Sequence, residues 1–345
     1  MATTRPAAPL KAIEYWLYAC CALVFAMVLL GGITRLTESG LSIVYWRPFT
    51  GWIPPMNEAA WTAVFDSYRE SPEFEKLNFW MALDDFKRIF WLEYLHRVLG
   101  RIIGIAYFLP FAWFLISYRL PAGLTGRLAI LFVLGGLQGA LGWYMVKSGL
   151  VDQPSVSQYR LAAHLGLAVV IYAAMLYTAL GLRKIPAAAV PISRGTHNPV
   201  SRGARNLSIL IFITMTWGAF VAGMDGGAVF TTFPLMDGRI LPPNALSMSP
   251  IWLNLFENIG TVQFIHRVLA ICTVIAALWF WWAHRLAKSR ATTLVAVFAA
   301  LQFCLGIATI LSGASIYIAW AHQGGAMLLF TTAIWTWRLG ASWGD

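Results

Sequence analysis

Long uncharged apolar segments are the feature that most constrains how this chain folds. The first runs from Tyr15 to Ile33, and the longest carries no acidic or basic residue between Ala291 and Trp337. A helix rises 1.5 Å per residue, so about 20 apolar residues cross the hydrocarbon core of a bilayer. The longest segment is about twice that length, and a Ser-Gly-Ala-Ser sequence at 312–315 supplies a break within it. The sequence therefore predicts an all-α integral membrane protein that crosses the bilayer several times.

The composition agrees with a membrane protein and excludes a soluble domain. Hydrophobic residues make up 59% of the 345 residues and charged residues only 12%, whereas about a quarter of a soluble domain is charged. A net charge of +10 would suit a nucleic-acid partner, but the basic residues fall in loops between apolar segments, so no nucleic acid is expected. We expect the four cysteines to be small buried apolar residues without disulfides. They are Cys20, Cys21, Cys272 and Cys304.

Eight transmembrane helices are predicted in the lipid bilayer. Their bounds are 15–33, 89–117, 124–146, 160–182, 207–225, 262–283, 291–312 and 316–337. Basic residues concentrate on the side of the N-terminus, and the positive-inside rule therefore makes both the N-terminus and the C-terminus cytoplasmic. The opposite side carries a long acidic loop at 34–88, which we expect to fold over the outer surface.

An internal repeat relates the two halves of the chain. The sequence His-Arg-Val-Leu occurs at 96–99 and at 266–269, Leu-Gln at 137–138 and at 301–302, and Ala-His at 163–164 and at 321–322. Both halves begin inside, so the repeat predicts two parallel four-helix bundles related by a pseudo-two-fold axis along the membrane normal. The predicted division is an N-terminal half at 1–182 that includes the outside loop 34–88, a basic cytoplasmic linker at 183–206, and a C-terminal half at 207–345.

Four of the six histidines are candidate metal ligands, because each lies near the start of an inward-running span. A lone intramembrane histidine usually bonds a neighbouring helix, but matched pairs at matched depth favour ligation. Zinc or copper would need further ligands that the sequence lacks, whereas haem needs only two axial ones. The candidate pairs are His96 with His164 and His266 with His322, and small residues beside them would make room for a macrocycle. Those small residues are Gly100, Gly166 and Gly324.

The two copies of the histidine motif differ chemically at the position three residues before the histidine, which is Glu93 in the first copy and Gln263 in the second. The half with Gln263 has two ligands and no proton donor, which suits electron transfer, whereas Glu93 can take or give a proton. The alternative is that Glu93 pairs with Arg97 one helical turn away and anchors the helix end. Three arginines could pair with haem propionates or extend to the membrane interface instead. They are Arg97, Arg101 and Arg267.

These motifs resemble the haem A synthase family over nearly the whole chain. The similarity is carried by the sequences at 31–42, 93–101, 222–225 and 233–234 and by the motifs around His266 and His322. The resemblance implies an oxidoreductase that converts haem O to haem A for cytochrome oxidase, in two successive oxidations of a ring methyl to a formyl group. It implies haem b as cofactor with His266 and His322 as axial ligands. It also implies that His96 and His164 position haem O and that Glu93 is catalytic.

The same resemblance implies a location and partners. The sequence is similar to the branch shared by proteobacteria and mitochondria, which implies the bacterial cytoplasmic (inner) membrane, with the mitochondrial inner membrane as the alternative. Haem O is the implied substrate and haem O synthase a candidate partner, while the electron-transfer partner and the oligomeric state stay open. A cysteine pair that some members carry in the first outside loop is absent here.

Two other function classes compete with this interpretation. A di-haem b-type cytochrome that takes electrons from quinol would use similar ligand pairs, but such proteins commonly stack haems near opposite faces. A transporter built from repeats would have broken helices and binding groups near the membrane midplane, and the sequence indicates neither. The residues do not distinguish dioxygen from water as the source of the inserted oxygen.

Overall fold

The computed structural model describes residues 5–47, 50–150, 156–183, 198–287 and 289–340. Within these ranges the chain forms helices and loops, with no β-strand. The α-helices of the described part are α1 (Leu10–Leu36), α2 (Glu58–Arg69), α3 (Leu83–Ser117), α4 (Leu124–Gly149), α5 (Gln158–Leu182), α6 (Pro199–Gly223), α7 (Asn254–Glu257), α8 (Ile259–His284), α9 (Arg290–Leu311) and α10 (Ile316–Gly340). The all-helical prediction is therefore confirmed for the described residues.

Seven of these helices are long and apolar enough to cross a membrane: α1, α3, α4, α5, α6, α8 and α9. They match the first seven predicted spans. Helix α10 has 25 residues and matches the eighth predicted span, but it is not among the seven. Helix α6 begins at Pro199, eight residues before the predicted start at 207, because Asn198 caps it by accepting from the Val200 backbone N–H at 2.9 Å.

The chain divides into two compact units. The first comprises Met1–Pro9 and Ala19–Arg160, and the second comprises Leu10–Tyr18 and Leu161–Asp345. Most of the predicted linker 183–206 lies outside the described residues, and the predicted functional halves 1–182 and 207–345 remain a prediction.

In the first unit, the acidic loop folds into short helices on an aromatic cluster. Helix α2 and a short π-helix at Phe74–Asn78 pack around buried Tyr68, Phe86 and Phe90. The Tyr68 and Phe86 rings stack with centroids 5.0 Å apart. Because Phe86 and Phe90 belong to α3, this cluster fixes the loop onto the helix that carries the first histidine motif.

Helix α3 joins a surface helix and a membrane span without a break, over 35 residues. It begins with a capping contact in which the Asp85 carboxylate accepts from the Ala82 backbone N–H at 3.3 Å. The first charged motif therefore lies well inside this helix, rather than at the start of a separate span.

The second unit contains a closed ring of four helices. Helix α6 packs on α8 and α10, and α9 packs on the same two helices. Helices α8 and α10 therefore lie diagonally across the ring, and side chains that they direct inward face each other. Within the ring, the hydroxyls of Thr214 on α6 and Thr273 on α8 are 2.9 Å apart.

The cysteine prediction is half right. Cys20 and Cys21 are buried, whereas Cys272 and Cys304 are exposed. The two exposed residues lie on α8 and α9, which turn part of their surface out of the four-helix ring. A small apolar thiol on such a surface is compatible with hydrocarbon, so burial inside the protein is not required.

Candidate functional site

The structure distributes the predicted site residues over both compact units. Glu93, His96, Arg97 and Arg101 lie on α3 in the first unit, and the others lie on α5, α8 and α10 in the second. Those in the second unit are His164, His266, Arg267 and His322. The structure brings His266 and His322 together, and the pairing of His96 with His164 stays a prediction because the two lie in different units.

The partly buried imidazoles of His266 and His322 face each other across the four-helix ring. Their centroids are 6.5 Å apart and their planes are nearly perpendicular, at 88°. A metal–imidazole bond is about 2.0–2.1 Å long, so two rings on opposite sides of one iron have centres about 6 Å apart. The separation of this pair therefore suits bis-imidazole ligation.

His266 is held in the orientation that a ligand needs. Its Nδ1 lies 3.1 Å from the backbone carbonyl oxygen of Thr214 on α6. A carbonyl oxygen only accepts, so Nδ1 carries the proton and Nε2 keeps its lone pair. Metal-ligating histidines are usually fixed in this way, by donating their other ring nitrogen to a carbonyl or carboxylate.

His322 contacts a side-chain amide instead of a backbone carbonyl. Nε2 of Gln302 on α9 lies 3.0 Å from Nδ1 of His322 and 3.5 Å from its Nε2. Oε1 of Gln302 is buried and has no hydrogen-bond partner among the described residues.

Glycines on neighbouring helices make room for three of the four rings. A Cβ atom at Gly31, Gly218 or Gly306 would lie 3.0 Å from Cε1 of His96, His266 or His322, respectively. Gly31 belongs to α1 and Gly218 to α6, the first long helix of each half. The close approach of a histidine ring to a glycine of that helix therefore occurs in both halves.

Two of the glycines that sequence analysis singled out have other neighbours. A Cβ at Gly100 would meet Met27, and one at Gly166 would meet Phe212, both at ordinary contact distances. The predicted glycines lie on the same helices as the histidines. The imidazole rings instead extend toward the adjacent helices, where they contact Gly31, Gly218 and Gly306.

The donor set at His266 and His322 fits a haem iron better than a bare metal ion. Two imidazoles at the separation that one iron requires supply both axial ligands, and haem provides the rest of the coordination plane. In the described part of the chain, no group of three or more His, Cys, Asp or Glu side chains could hold a metal ion.

Glu93 is the centre of a buried hydrogen-bond network in the first unit. Oε2 accepts from the Ser42 hydroxyl at 2.7 Å and from the Ile43 backbone N–H at 2.8 Å. Oε1 accepts from Nε of Arg97 at 2.9 Å and also from its Nη2. An ionised carboxylate offers about four acceptor positions, so protein donors occupy the full set. The predicted ion pair is confirmed, and it also anchors the loop after α1.

Arg97 and Arg101 hold the loop that follows α1 through its backbone carbonyls. Arg97 donates to the carbonyl oxygens of Ile43 and Tyr45 at 2.8 and 3.1 Å. Arg101 donates to the carbonyl oxygen of Arg47 at 2.8 Å and lies over the Trp52 ring. These contacts differ from extension to a membrane interface, and the predicted propionate contacts stay a prediction.

The second unit repeats this arrangement. Arg267 donates to the carbonyl oxygens of Phe230 and Thr232 at 2.7 and 2.8 Å, which are two residues apart like those held by Arg97. Gln263 donates to the same Phe230 oxygen at 3.2 Å. Its Oε1 has no partner in the part of the chain that the structure describes. The second half, which has Gln263 where the first has Glu93, therefore lacks the ion pair but keeps the contact between this helix and the neighbouring loop.

A second buried carboxyl group, that of Glu73, lies within the acidic loop at the start of the short π-helix. Burial raises the pKa of Glu73 to about 7, the hydrogen bond from the Tyr68 hydroxyl opposes the rise, and the charges of Glu93 and Glu38 add to it. The Tyr68 hydroxyl lies 2.9 Å from Glu73 Oε2 and accepts from the Asn78 amide at 2.7 Å. The loop therefore contains a carboxyl group that exchanges a proton near neutral pH, outside the membrane-spanning part.

No sequence pattern predicted that Ser42 and Thr214 orient the site residues. Ser42 lies 51 residues before Glu93 and Thr214 acts through its backbone, so no helical spacing relates them to the motifs. Gln302 did carry a signal, because it belongs to the Leu-Gln and Leu-Gly motifs that recur at 137–142 and 301–306.

Comparisons with known proteins find relatives over almost the whole chain. Residues 14–334 match the model of the COX15-CtaA family, described as cytochrome oxidase assembly protein. Among curated relatives, a protein of Nitrosospira multiformis named heme A synthase is 48% identical over 94% of this chain and 92% of its own length. Proteins of the same name from Parvibaculum lavamentivorans and Rhodospirillum centenum are each 47% identical, over 94% and 97% of this chain and 93% and 90% of their own lengths.

Proposed function

The chain belongs to the COX15-CtaA family of cytochrome oxidase assembly proteins, and from that premise we propose that it is an oxidoreductase converting haem O to haem A. The reaction oxidises one ring methyl to a formyl group, through a hydroxymethyl and a geminal diol that loses water. The relatives that share nearly half of its residues over almost its full length support the reaction class.

The facing pair of His266 and His322 carries the cofactor part of the proposal. These residues would hold haem b, which supplies one-electron transfer when bound. The Thr214 carbonyl keeps His266 in the ligating tautomer, and Gly218 and Gly306 let both rings approach the neighbouring helices. Nε of Arg267 is buried without a partner among the described residues and is a donor available to a propionate.

The predicted N-terminal half, residues 1–182, carries the substrate part of the proposal. His96 would position haem O together with His164, and Glu93 would handle the protons released as the methyl group is oxidised. Because four donors saturate the Glu93 carboxylate, proton transfer requires that one of these bonds be exchanged for a bond to substrate or water. The Ser42 hydroxyl is the neutral side-chain donor among them and the one that rotation about a single bond can release.

The test of this function is the identity of the haems made. Membranes that contain this chain and a haem O supply should yield haem A on extraction and chromatography, whereas membranes with haem O alone should yield none. Haem O left unconverted would overturn the enzyme proposal. In that case the haem b content of the purified protein would favour the di-haem b-type cytochrome.

We further propose eight spans in two parallel repeats, with both termini in the cytoplasm of a bacterium and the protein in the inner membrane. The support is the position of α10, which follows the seven apolar helices and closes the ring of the second unit. Haem O synthase is a proposed partner because it makes the substrate.

The orientation predicts the result of reporter fusions. A phosphatase fused near Glu70 should be active, because that enzyme folds only outside the cytoplasm, and one fused after Pro121 between α3 and α4 should be inactive. Fusions after Arg194, which lies outside the described residues, should also be inactive. The opposite pattern would contradict the positive-inside assignment.

A further inference from the structure

Two exposed isoleucines occupy matching positions in the outer loops of the two halves. The arginine after each repeated histidine holds a loop carbonyl, that of Ile43 in the first half and that of Phe230 in the second. Ile53 and Ile240 each follow ten residues after that carbonyl. Both side chains are 76% exposed. The internal repeat therefore continues into the outer loops, where it places an apolar side chain that the protein leaves uncovered.

Each isoleucine belongs to an uncharged segment that a proline pair stiffens. Residues 48–57 and 240–256 contain no Asp, Glu, Lys, Arg or His. A Pro-Pro pair stands at 54–55 in the first segment and at 242–243 in the second. Because the proline ring fixes φ, the residues beside each pair lose little conformational entropy when they bind a surface. We call residues 50–57 and 240–256, which the structure describes, the tip segments.

The second tip segment is ordered internally and packs on the start of α8. The side-chain amide of Asn254 donates to the carbonyl oxygens of Met248 and Ile251, both at 2.9 Å. A Cβ at Gly260, in the first turn of α8, would lie 3.1 Å from Cγ of Pro242. The proline pair therefore rests on the outer end of a helix that is long and apolar enough to cross a membrane.

This ordered segment exposes more than its isoleucine tip. The side chains of Ile251 and Trp252 are 62% and 57% exposed, and Leu241 is also exposed. Contiguous exposed apolar side chains mark a surface that binds a protein or a membrane. Since Asn254 fixes the backbone here, the exposure is a property of an ordered loop.

The first tip segment is fixed to α3 in a comparable way. The Tyr94 hydroxyl donates to the backbone carbonyl of Trp52, and the Arg101 guanidinium lies 5.6 Å from the centroid of the Trp52 ring. Tyr94 and Arg101 both belong to α3, where the side chain of Leu95 is exposed as well. Ile53 therefore lies beside the exposed apolar surface of a second helix that can cross a membrane.

We propose that both tip segments enter the outer leaflet of the membrane and that their partner is lipid, at the boundary between head groups and acyl chains. Each segment continues the exposed apolar surface of a spanning helix at its outer end. Tryptophan is typical of this boundary, and apolar side chains of interfacial segments reach about 5–10 Å into it. A surface that binds a protein usually has a polar rim, whereas residues 240–256 carry no charge. The proposal goes beyond the haem chemistry and does not depend on it.

The experiment measures the surroundings of a spin label on a single cysteine, in the full-length protein reconstituted into vesicles of phosphatidylcholine and phosphatidylglycerol. Cys272 and Cys304 are exposed and are first replaced by alanine, whereas Cys20 and Cys21 are buried and can stay. Power saturation then compares collisions of the label with oxygen, which concentrates in lipid, and with a water-soluble nickel chelate. The labelled variants are Ile53→Cys, Ile240→Cys and Trp252→Cys, with Glu70→Cys as the control in water and Ile275→Cys as the control in lipid.

The two controls are chosen for their positions. Glu70 is exposed at the end of α2 in the acidic loop, and Ile275 is 61% exposed in the middle of α8. We expect the three tip labels to collide more often with oxygen than with nickel, as at Ile275→Cys, and Glu70→Cys to show the reverse. Wild-type thermal stability selects the folded variants, and Met56→Cys or Leu241→Cys replaces a tip variant that does not fold.

More collisions with nickel than with oxygen at the tip labels would overturn the proposal, because the tips would then lie in water. Few collisions with either reagent would overturn it too, since protein would then cover the tips, and the vesicles contain no protein other than further copies of this chain. A lipid-like result in one loop and a water-like result in the other would refute the proposal for the second loop. None of these results bears on haem A formation, so a failure here is distinct from a failure of the proposed function.

Discussion

Replacing His266 or His322 by alanine should deplete the purified protein of haem b, whereas replacing His96 or His164 should leave haem b bound and abolish conversion of haem O. The two rings of the second unit have centroids 6.5 Å apart, and among the described residues they belong to no group of three or more His, Cys, Asp or Glu side chains that could hold a metal ion. Loss of one of the two proposed ligands would remove half of the protein's bonds to the haem iron. The measurement is haem per protein from the pyridine haemochrome spectrum, alongside haem A formation in membranes.

A matched control lies on the same helix as His266. His284 ends α8, where its ring packs on Phe280 with centroids 4.9 Å apart. His284→Ala should therefore retain both haem b and activity. Equal loss of haem b in all four site variants would contradict a division into a cofactor half and a substrate half. Loss of haem b from the His96 and His164 variants alone would reverse the assignment of the halves.

The helices were predictable because apolar segment length reports directly on membrane crossing. Seven predicted spans correspond to helices of sufficient length and hydropathy. The proximity of His266 on α8 and His322 on α10 was also predictable, since matched pairs of histidines at matched depth favour a shared site; their ligation of iron stays a prediction. Helix α6 was placed eight residues late, because the polar N-terminal turn after Asn198 lies outside the apolar segment that was counted.

The partners of the site residues were not predictable, because they come from irregular backbone. The Ser42 hydroxyl and the Ile43 N–H reach Glu93 from a loop with no periodic pattern. Every residue type has a backbone carbonyl, so nothing in the sequence marks that of Thr214 as the acceptor for His266. Local motifs therefore predicted which residues belong to the site, whereas the hydrogen bonds that orient those residues come from segments distant in the sequence and were not predictable.

The environment of Glu93 also changes the energetic argument for its role. An exposed ion pair with Arg97 would contribute about 0–1 kcal/mol, and its loss would hardly matter. The side chains of Arg97 and Glu93 are instead only 10% and 4% exposed, and breaking a buried pair costs about 3–5 kcal/mol. A variant at Glu93 therefore combines a loss of stability with any loss of chemistry, and an experiment has to separate them.

Glu93→Gln should retain haem b but form haem A about 10²–10⁴-fold more slowly, the range that general acid–base catalysis contributes. The amide cannot be ionised, and it places a donor against either Arg97 or the two donors of the loop. Ser42→Ala is the matched control, because it removes one hydrogen bond to the carboxylate and leaves its charge and its pair with Arg97 intact. We expect the control to retain most of the activity.

Separating anchoring from proton transfer requires three measurements on the two variants: thermal stability, haem b content, and the ratio of haem O, hydroxylated intermediate and haem A. If Glu93 only anchors the loop, activity should fall in step with stability in both variants. If it transfers protons, Glu93→Gln should be inactive even at temperatures where it is fully folded. Accumulated hydroxylated haem would place Glu93 after the first oxidation, where loss of water from the geminal diol requires a proton to move from one hydroxyl to the departing one. Near-normal haem A from a folded Glu93→Gln protein would exclude Glu93 from the chemistry.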